Sequence, residues 1–338
     1  MKLITFVVPC YNSGSFMHKT INSLLLCGDK CEIVIINDGS TDNTGAVADS
    51  FAAKYPDIVK VVHQENGGHG AGIMAGLREA TGAFFKVVDS DDWIDEGTVD
   101  SYLKHLSELN DTDCDLLLTD YCYDYSGNFD IDILAYDNAI EPSKLLTWDE
   151  LGRFTVTQYP TIHSVTFRTS LLRDCGMELP KHTFYEDNLY VYYPLPHVRK
   201  LYYMHEVLEH YFIGRPGQSM SESSMKSHYE DQIQVSKMLF EAYDLKKIKK
   251  EDHKLAKLMY RENVLMLTAA SVFARLNKDR SSEADYKRMW RDVYKADKRT
   301  TTRIRLASYA TLVSLPGPLG RTIALSSYKM MHRFLKFN

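Results

Sequence analysis

Three acids within four residues, in the run Asp89-Ser90-Asp91-Asp92, repel one another unless water or a cation neutralises them. A hard divalent ion such as Mg2+ or Mn2+ suits the grouping. It takes one or two carboxylates and fills its other positions with water and phosphate oxygens, so Asp89 and Asp91 can divide the work between the metal and the ribose of a nucleotide. The competing reading is a helix start, because acidic and hydroxyl residues also cap helices, with Asp92 or Ser90 in that role. A second polar run, Asn37-Asp38-Gly39-Ser40-Thr41-Asp42, has the composition of a turn. Asp38 there offers an acceptor to a base N–H or a ribose hydroxyl, and Asp42 suits the cap of the next helix.

These residues follow elements that read as alternating strands and helices. Leu3–Val8, Glu32–Asn37, Val59–His63 and Ala83–Val88 are short apolar runs, and helical spacing lies between them over Ser15–Leu26, Thr41–Lys54 and Gly72–Thr81. Such alternation predicts a mostly parallel sheet flanked by helices. Ligands collect at the carboxyl ends of strands in such sheets. The turns Pro9-Cys10-Tyr11-Asn12, Asn37–Ser40, Asn66-Gly67-Gly68-His69 and Asp89–Asp92 occupy those ends. A helix over Glu96–Leu109 and a strand over Cys114–Asp120 follow, then a Tyr- and Asp-rich stretch, Tyr121–Asn138, suited to loop or antiparallel structure. Helical spacing dominates from Tyr229, over Tyr229–Ala242, His253–Leu276 and Asp285–Lys295, and Pro316-Gly317-Pro318 breaks the final segment. The boundary is expected near residue 225.

Bulk properties narrow the class. At 338 residues with 44% hydrophobic and 25% charged content, the chain can hold a sizeable core plus an appendage. The net charge is −5, yet residues 299–338 contain seven Lys or Arg and no Asp or Glu, which leaves residues 1–298 at −12. So acidic a body argues against general nucleic-acid binding. The six cysteines form no CxxC pair, which favours reduced structural thiols in a cytoplasmic protein over zinc. Pro9, Asn12 and Ser13 interrupt the apolar run Met1–Val8, so it reads as a buried strand and not a leader. No run reaches the roughly 18 apolar residues of a spanning helix.

The runs Phe6-Val7-Val8-Pro9-Cys10-Tyr11-Asn12, Asn37–Asp42 and Asp89–Asp92 resemble, in order and spacing over about the first hundred residues, family 2 glycosyltransferases of the GT-A fold. The resemblance implies an α/β, GT-A (Rossmann-like) sheet, mostly parallel and flanked by helices, with a C-terminal helical extension. Residues 1–225 would be catalytic, 1–110 binding the nucleotide-sugar and 111–225 facing the acceptor; residues 226–338 would be the helical region. It further implies that Pro9 and Tyr11 flank the base with Asn12 beside them, that Asp38 reads the base, and that Asp89 and Asp91, with Ser90 between them, hold the Mn2+ or Mg2+ and the diphosphate.

The family's base comes from an acidic pair, to which Glu186-Asp187 in Thr183-Phe184-Tyr185-Glu186-Asp187-Asn188 is similar. One of these carboxylates would deprotonate an acceptor hydroxyl attacking the anomeric carbon, with Asp187 preferred; an acidic helix start is the alternative. Arg215, in His210–Ser219, would clamp diphosphate or be an ordinary turn residue. His163 and His182 lie where acceptor contacts are expected, although a lone histidine is commonly a packing residue. Where the family often has Ala-Arg-Asn, this chain has Gly67-Gly68-His69-Gly70-Ala71-Gly72, which puts His69 near the pyrophosphate. The same stretch, Gly70-x-Gly72-x-x-Ala75 with Asp89 nineteen residues later, imitates a dinucleotide fingerprint. Its glycines, however, follow the third strand rather than the first.

The reading is therefore an inverting transferase moving a sugar from a nucleotide diphosphate, preferably a UDP-sugar, to a saccharide hydroxyl in cell-surface polysaccharide or glycolipid synthesis. The alternatives are a NAD-dependent oxidoreductase using Gly70-x-Gly72 and a non-catalytic nucleotide-sugar-binding module. In the tail, Arg299, Arg303, Arg305, Arg321, Lys329, Arg333 and Lys336 lie among apolar residues from Leu306 to Phe337. That composition favours an interfacial segment on the anionic inner face of the cell membrane, with a lipid-linked acceptor, over a packing or oligomer contact.

Overall fold

The computed structural model describes residues 2–125, 131–155, 158–215, 218, 221–277, 279–307, 310–313, 315, 317 and 320–326. Two compact units divide the chain, Met1–Ile213 and Gly214–Asn338. The division falls at the end of the last strand, twelve residues before the boundary read from the sequence.

In the first unit, β1 (Ile4–Cys10), β2 (Cys31–Asp38), β3 (Val59–Gln64) and β4 (Phe84–Val87) are parallel neighbours in the order β3-β2-β1-β4. β1 is buried along its whole length, as expected for a central strand covered on both faces. Each of its fully buried Val and Ile side chains contributes about 1.5–3 kcal/mol relative to exposure. Helices α1 (Met17–Leu25), α2 (Thr44–Lys54) and α3 (His69–Glu79) connect these strands. α1 buries Met17, Thr20, Ile21 and Leu24, one face at helical spacing.

Beyond β4 the sheet departs from simple alternation. A two-residue strand β5 (Trp93–Ile94) precedes α4 (Val99–Asn110), and β6 (Leu116–Tyr125) runs five residues past the expected end, with β7 (Ile131–Leu134) antiparallel to it. After β8 (Leu145–Leu146), β9 (Val165–Arg168) inserts antiparallel between β4 and β6. The short helices α5 (Thr169–Asp174) and α6 (Asp187–Tyr192) lead to β10 (Leu201–Ile213), which is parallel to β6 with register shifts between Met204 and Glu209. β9 and most of β10 were not foreseen. Polar residues interrupt the apolar alternation of β10 at His205 and Glu206, where the register shifts.

The second unit is helical: α7 (Glu222–Ser227), α8 (Tyr229–Ala242), α9 (Leu245–Glu251), α10 (His253–Leu276), α11 (Arg280–Ala296), α12 (Lys298–Ala307) and α13 (Ala310–Val313). Asp252 accepts from Lys254 N–H and Leu255 N–H at 2.9 and 2.8 Å, and Asp279 from Ser282 N–H at 2.8 Å, so acidic caps start the two long helices. The first part of the basic tail packs into this unit. Ile304, Ala310 and Val313 are buried, and the buried Arg275 donates to the carbonyls of Val313 and Leu315 at 2.6 and 2.8 Å. Tyr309, Lys329, Arg333, Lys336 and Phe337 lie outside the described residues.

Candidate active site

Because β1 to β4 are parallel neighbours, the turns after them share one edge of the sheet. Side chains lace those turns together. Asn12, at φ 51°, donates its N–H to Ser40 Oγ (3.0 Å), and its Oδ1 accepts from Thr41 N–H (2.9 Å). Ser13 Oγ lies 2.8 Å from Ser90 Oγ, joining the first turn to the fourth. Asp42 accepts from Thr44 N–H at 2.9 Å, at the start of α2. Pro9 is buried within β1, and Tyr11 stands 55% exposed at the same edge, where a flat ligand can stack on it.

Asp38 is buried, and three protein donors already reach its carboxylate: Gln64 Nε2 at 2.6 Å, Gly67 N–H at 2.9 Å and Gly68 N–H at 2.8 Å. Most of its acceptor capacity holds the third turn. Asp38 thus braces the third turn from the end of β2.

The acidic run divides by burial. No helix starts there, since the next begins at Val99 after a single 3-10 turn. Asp89 and Asp91 are half-buried at the carboxyl end of β4, and Ser90 is buried. Asp92 is fully buried and turns away, accepting from Phe212 N–H at 2.8 Å. Burial, then the charges of Asp91, Asp89 and Glu209, raise its proton affinity well above the ordinary carboxylate range. Two carboxylates therefore remain at the sheet edge, the number that Mg2+ or Mn2+ takes while keeping water and phosphate oxygens, so the donor set fits such an ion.

Behind this run lies a buried polar network. Lys86 Nζ lies 2.8 Å from Glu209 Oε2 and donates to the His163 carbonyl at 2.8 Å; His163 Nδ1 is 2.9 Å from Glu209 Oε1 and 3.5 Å from Asp92 Oδ2. His163 also stacks on Tyr211, with centroids 4.3 Å apart. Partners thus hold both its Nδ1 edge and its ring face. Lys86 and Glu209 were not singled out, although a lysine inside the apolar run Ala83–Val88 is itself a signal, because a buried charge must be paired.

His69, the first residue of α3, occupies the centre of the site. Its Nε2 lies 2.8 Å from Asp89 Oδ1 and its Nδ1 lies 2.8 Å from Glu186 Oε1. Burial alone would lower its proton affinity, but the carboxylates of Asp89 and Glu186 override that effect and hold it well above the usual histidine value. Both ring nitrogens then carry protons and donate. Glu186, which this bridge engages, is 3% exposed, while Asp187 is half-buried at the start of α6. Burial, then the charge of Glu186, raises the Asp187 carboxyl to about 6, against a lowering pull from His69. A carboxylate so tuned is a competent proton acceptor near neutral pH.

Two expected residues remain, His182 and Arg215. His182 is exposed at φ 48° and donates its N–H to the Gly67 carbonyl at 2.8 Å, so it sits against the third strand-end turn. Arg215 belongs to the second unit, where its N–H donates to Gln218 Oε1 at 3.1 Å. The glycines that imitate a dinucleotide fingerprint serve close packing. A Cβ on Gly70 would lie 2.8 Å from Glu186 Cγ, and one on Gly72 would lie 3.1 Å from Pro9 Cβ. Close packing within the chain therefore accounts for glycine at both positions. All six cysteines are free.

Residues 5–153 match the family model described as Glycosyl transferase family 2. Glycosyltransferase GlyG of Streptococcus pneumoniae is 34% identical over 144 residues, which are 41% of this chain and 46% of that protein; the chain thus matches less than half of GlyG's length. S. aureus TarS 1-349, solved in complex with UDP-GlcNAc, superimposes with a TM-score of 0.69 at 22% identity, over 98% of this chain and 92% of that one. The mannosyltransferase PcManGT of Pyrobaculum calidifontis, solved with GDP-Man and Mn2+, gives 0.51 at 15% identity, over 96% and 86%. Residues 5–153 are thus similar to family 2 glycosyltransferases, and the chain shares the GT-A fold of these solved structures.

Proposed function

We propose that this chain is a family 2 glycosyltransferase that moves a sugar, with inversion, from a UDP-sugar to a hydroxyl of a saccharide acceptor, and that Asp187 is the base. The observation that carries the proposal is the bridge through His69. It joins Asp89 at the donor edge to Glu186 and so brings the neighbouring Asp187 to the same site from about a hundred residues away. Asp89 and Asp91 would hold Mn2+ or Mg2+. A bound ion would supply charge neutralisation at the departing diphosphate. Tyr11 would stack on the base, and Pro9 and Asn12 shape the turn that presents it. Asp187 would accept the acceptor's proton as the oxygen attacks the anomeric carbon opposite the diphosphate, and its proton affinity near 6 suits that task.

The like-fold TarS structure with UDP-GlcNAc and the PcManGT structure with GDP-Man and Mn2+ support a nucleotide-sugar donor and a divalent ion. Among the described residues no helix is long and apolar enough to cross a membrane. Lys298, Arg299, Arg303 and the 73% exposed Leu306 line one surface of α12, which supports docking on an anionic membrane and a lipid-linked acceptor.

The test is nucleotide release from a panel of UDP-, GDP- and dTDP-sugars, with and without Mn2+. Metal-dependent UDP release from at least one UDP-sugar is expected. Release only from GDP- or dTDP-sugars would overturn the donor assignment, and tight UDP binding without turnover of any donor, whatever saccharide is offered, would favour a binding module.

A further inference from the structure

We propose that Gly67-Gly68-His69-Gly70 is a seat that fixes the segment 178–187, and with it Asp187, against the donor-side acids, and that His69 is a positioning residue and not a diphosphate ligand. The catalytic consequence rests on the transferase reading above; the seat itself does not. Two ties reach across from the segment. His182 N–H donates to the Gly67 carbonyl at 2.8 Å, and Glu186 Oε1 meets His69 Nδ1 at 2.8 Å, while the other side of the same imidazole meets Asp89. With both nitrogens so engaged, His69 has no N–H left to offer a phosphate.

The glycines supply the clearance that these ties need. Gly68, at φ +85°, faces His182, and a Cβ there would lie 2.8 Å from His182 N. A Cβ on Gly70 would lie 2.8 Å from Glu186 Cγ, 3.0 Å from Leu179 Cβ and 3.1 Å from the Pro180 carbonyl. One methyl group at either position therefore displaces the segment. The segment in turn adopts backbone that its own residues seldom choose, with His182 at φ 48° and Tyr185 at φ 69°. Non-glycine residues stay in that region only where surrounding contacts hold them. Burial of Glu186 under the imidazole fixes the first residue of α6, which is Asp187. A shift of about 1 Å in a reacting group can cost roughly 10²-fold in rate.

The full-length His69→Ala, Gly70→Ala and Glu186→Ala variants are compared with wild type by two readouts. Amide hydrogen exchange over residues 178–188 is expected to quicken about tenfold or more in all three, with β1 and β2 unchanged in the same samples as the control for folding. The kcat for UDP release should fall about 10²-fold while the affinity for UDP with Mn2+ stays within about threefold, and the His69→Ala/Glu186→Ala double variant should lose no more than either single variant. Glu186→Gln, which keeps an oxygen for His69 Nδ1–H, should recover part of both readouts. Unchanged exchange in His69→Ala and Gly70→Ala would overturn the seat, and a loss of UDP affinity equal to the loss of kcat would make His69 a diphosphate ligand. Absence of turnover in wild type would count against the transferase reading alone, because the exchange readout still decides the seat.

Discussion

His69 Nδ1 lies 2.8 Å from Glu186 Oε1, and this one hydrogen bond joins the turn after the third strand to the start of α6. Through the same ring Glu186 is linked to Asp89, whose Oδ1 lies 2.8 Å from Nε2, so the acids proposed for the donor and acceptor sides share a single imidazole.

The pH dependence should be one-sided on the acid limb. The Asp187 carboxyl is raised to about 6, and only its deprotonated form can accept a proton. Below that value kcat/KM should fall about tenfold per pH unit, and above it the profile should flatten toward neutrality. A profile that stays level down to pH 4.5 would remove Asp187 from the base role.

Asp91→Ala should weaken UDP binding in the presence of Mn2+ by about tenfold or more, and should leave the weak binding measured in EDTA unchanged. Calorimetric titration with and without the metal separates the two terms. Equal weakening in both conditions would mean that Asp91 touches the nucleotide and not the ion.

Lys86→Met should destabilise the first unit by about 3–5 kcal/mol, because it strands the buried Glu209 carboxylate without its cation. Lys86→Met combined with Glu209→Gln should recover part of that loss, read as the urea midpoint. A loss below about 1 kcal/mol for the single variant would show that His163 alone satisfies Glu209.

Deleting residues 299–338 is a poor test of membrane docking, because Ile304, Ala310 and Val313 pack inside the helical unit. Lys298→Glu with Arg299→Glu and Leu306→Ser alters only the outward surface of α12. Binding to vesicles containing anionic lipid should then fall about tenfold or more, given about 1 kcal/mol per basic residue near the surface. Unchanged partitioning would assign the basic face of α12 another role.

Much of the first half of the sheet was legible because its strands are continuous apolar runs ended by polar turns. Ile4–Cys10 and Cys31–Asp38 each lie within two residues of the expected limits at either end. His253–Leu276 has the limits read from the sequence, since an aspartate cap and a long apolar stripe mark it. β9 and β10 were hidden for a physical reason. A four-residue antiparallel strand leaves almost no periodicity, and the register shifts near Val207 break the alternation of β10. At the site, the acidic run and the pair at 186–187 stood out by residue type. The partners of Asp38, Asp92 and His69 did not, because long-range pairing decides whether a carboxylate faces a ligand or its own scaffold. Even the glycine run was legible only as composition: which atoms press on Gly70 depends on a segment more than a hundred residues later.

The central claim is tested most directly by Asp187→Asn, assayed side by side for UDP affinity with Mn2+ and for sugar transfer from the donor that the panel identifies. The expected result is affinity within about threefold of wild type and a transfer rate lower by about 10²–10⁴-fold. Transfer within a factor of about three of the wild-type rate would contradict the account, because the proton of the acceptor hydroxyl would then leave by another route.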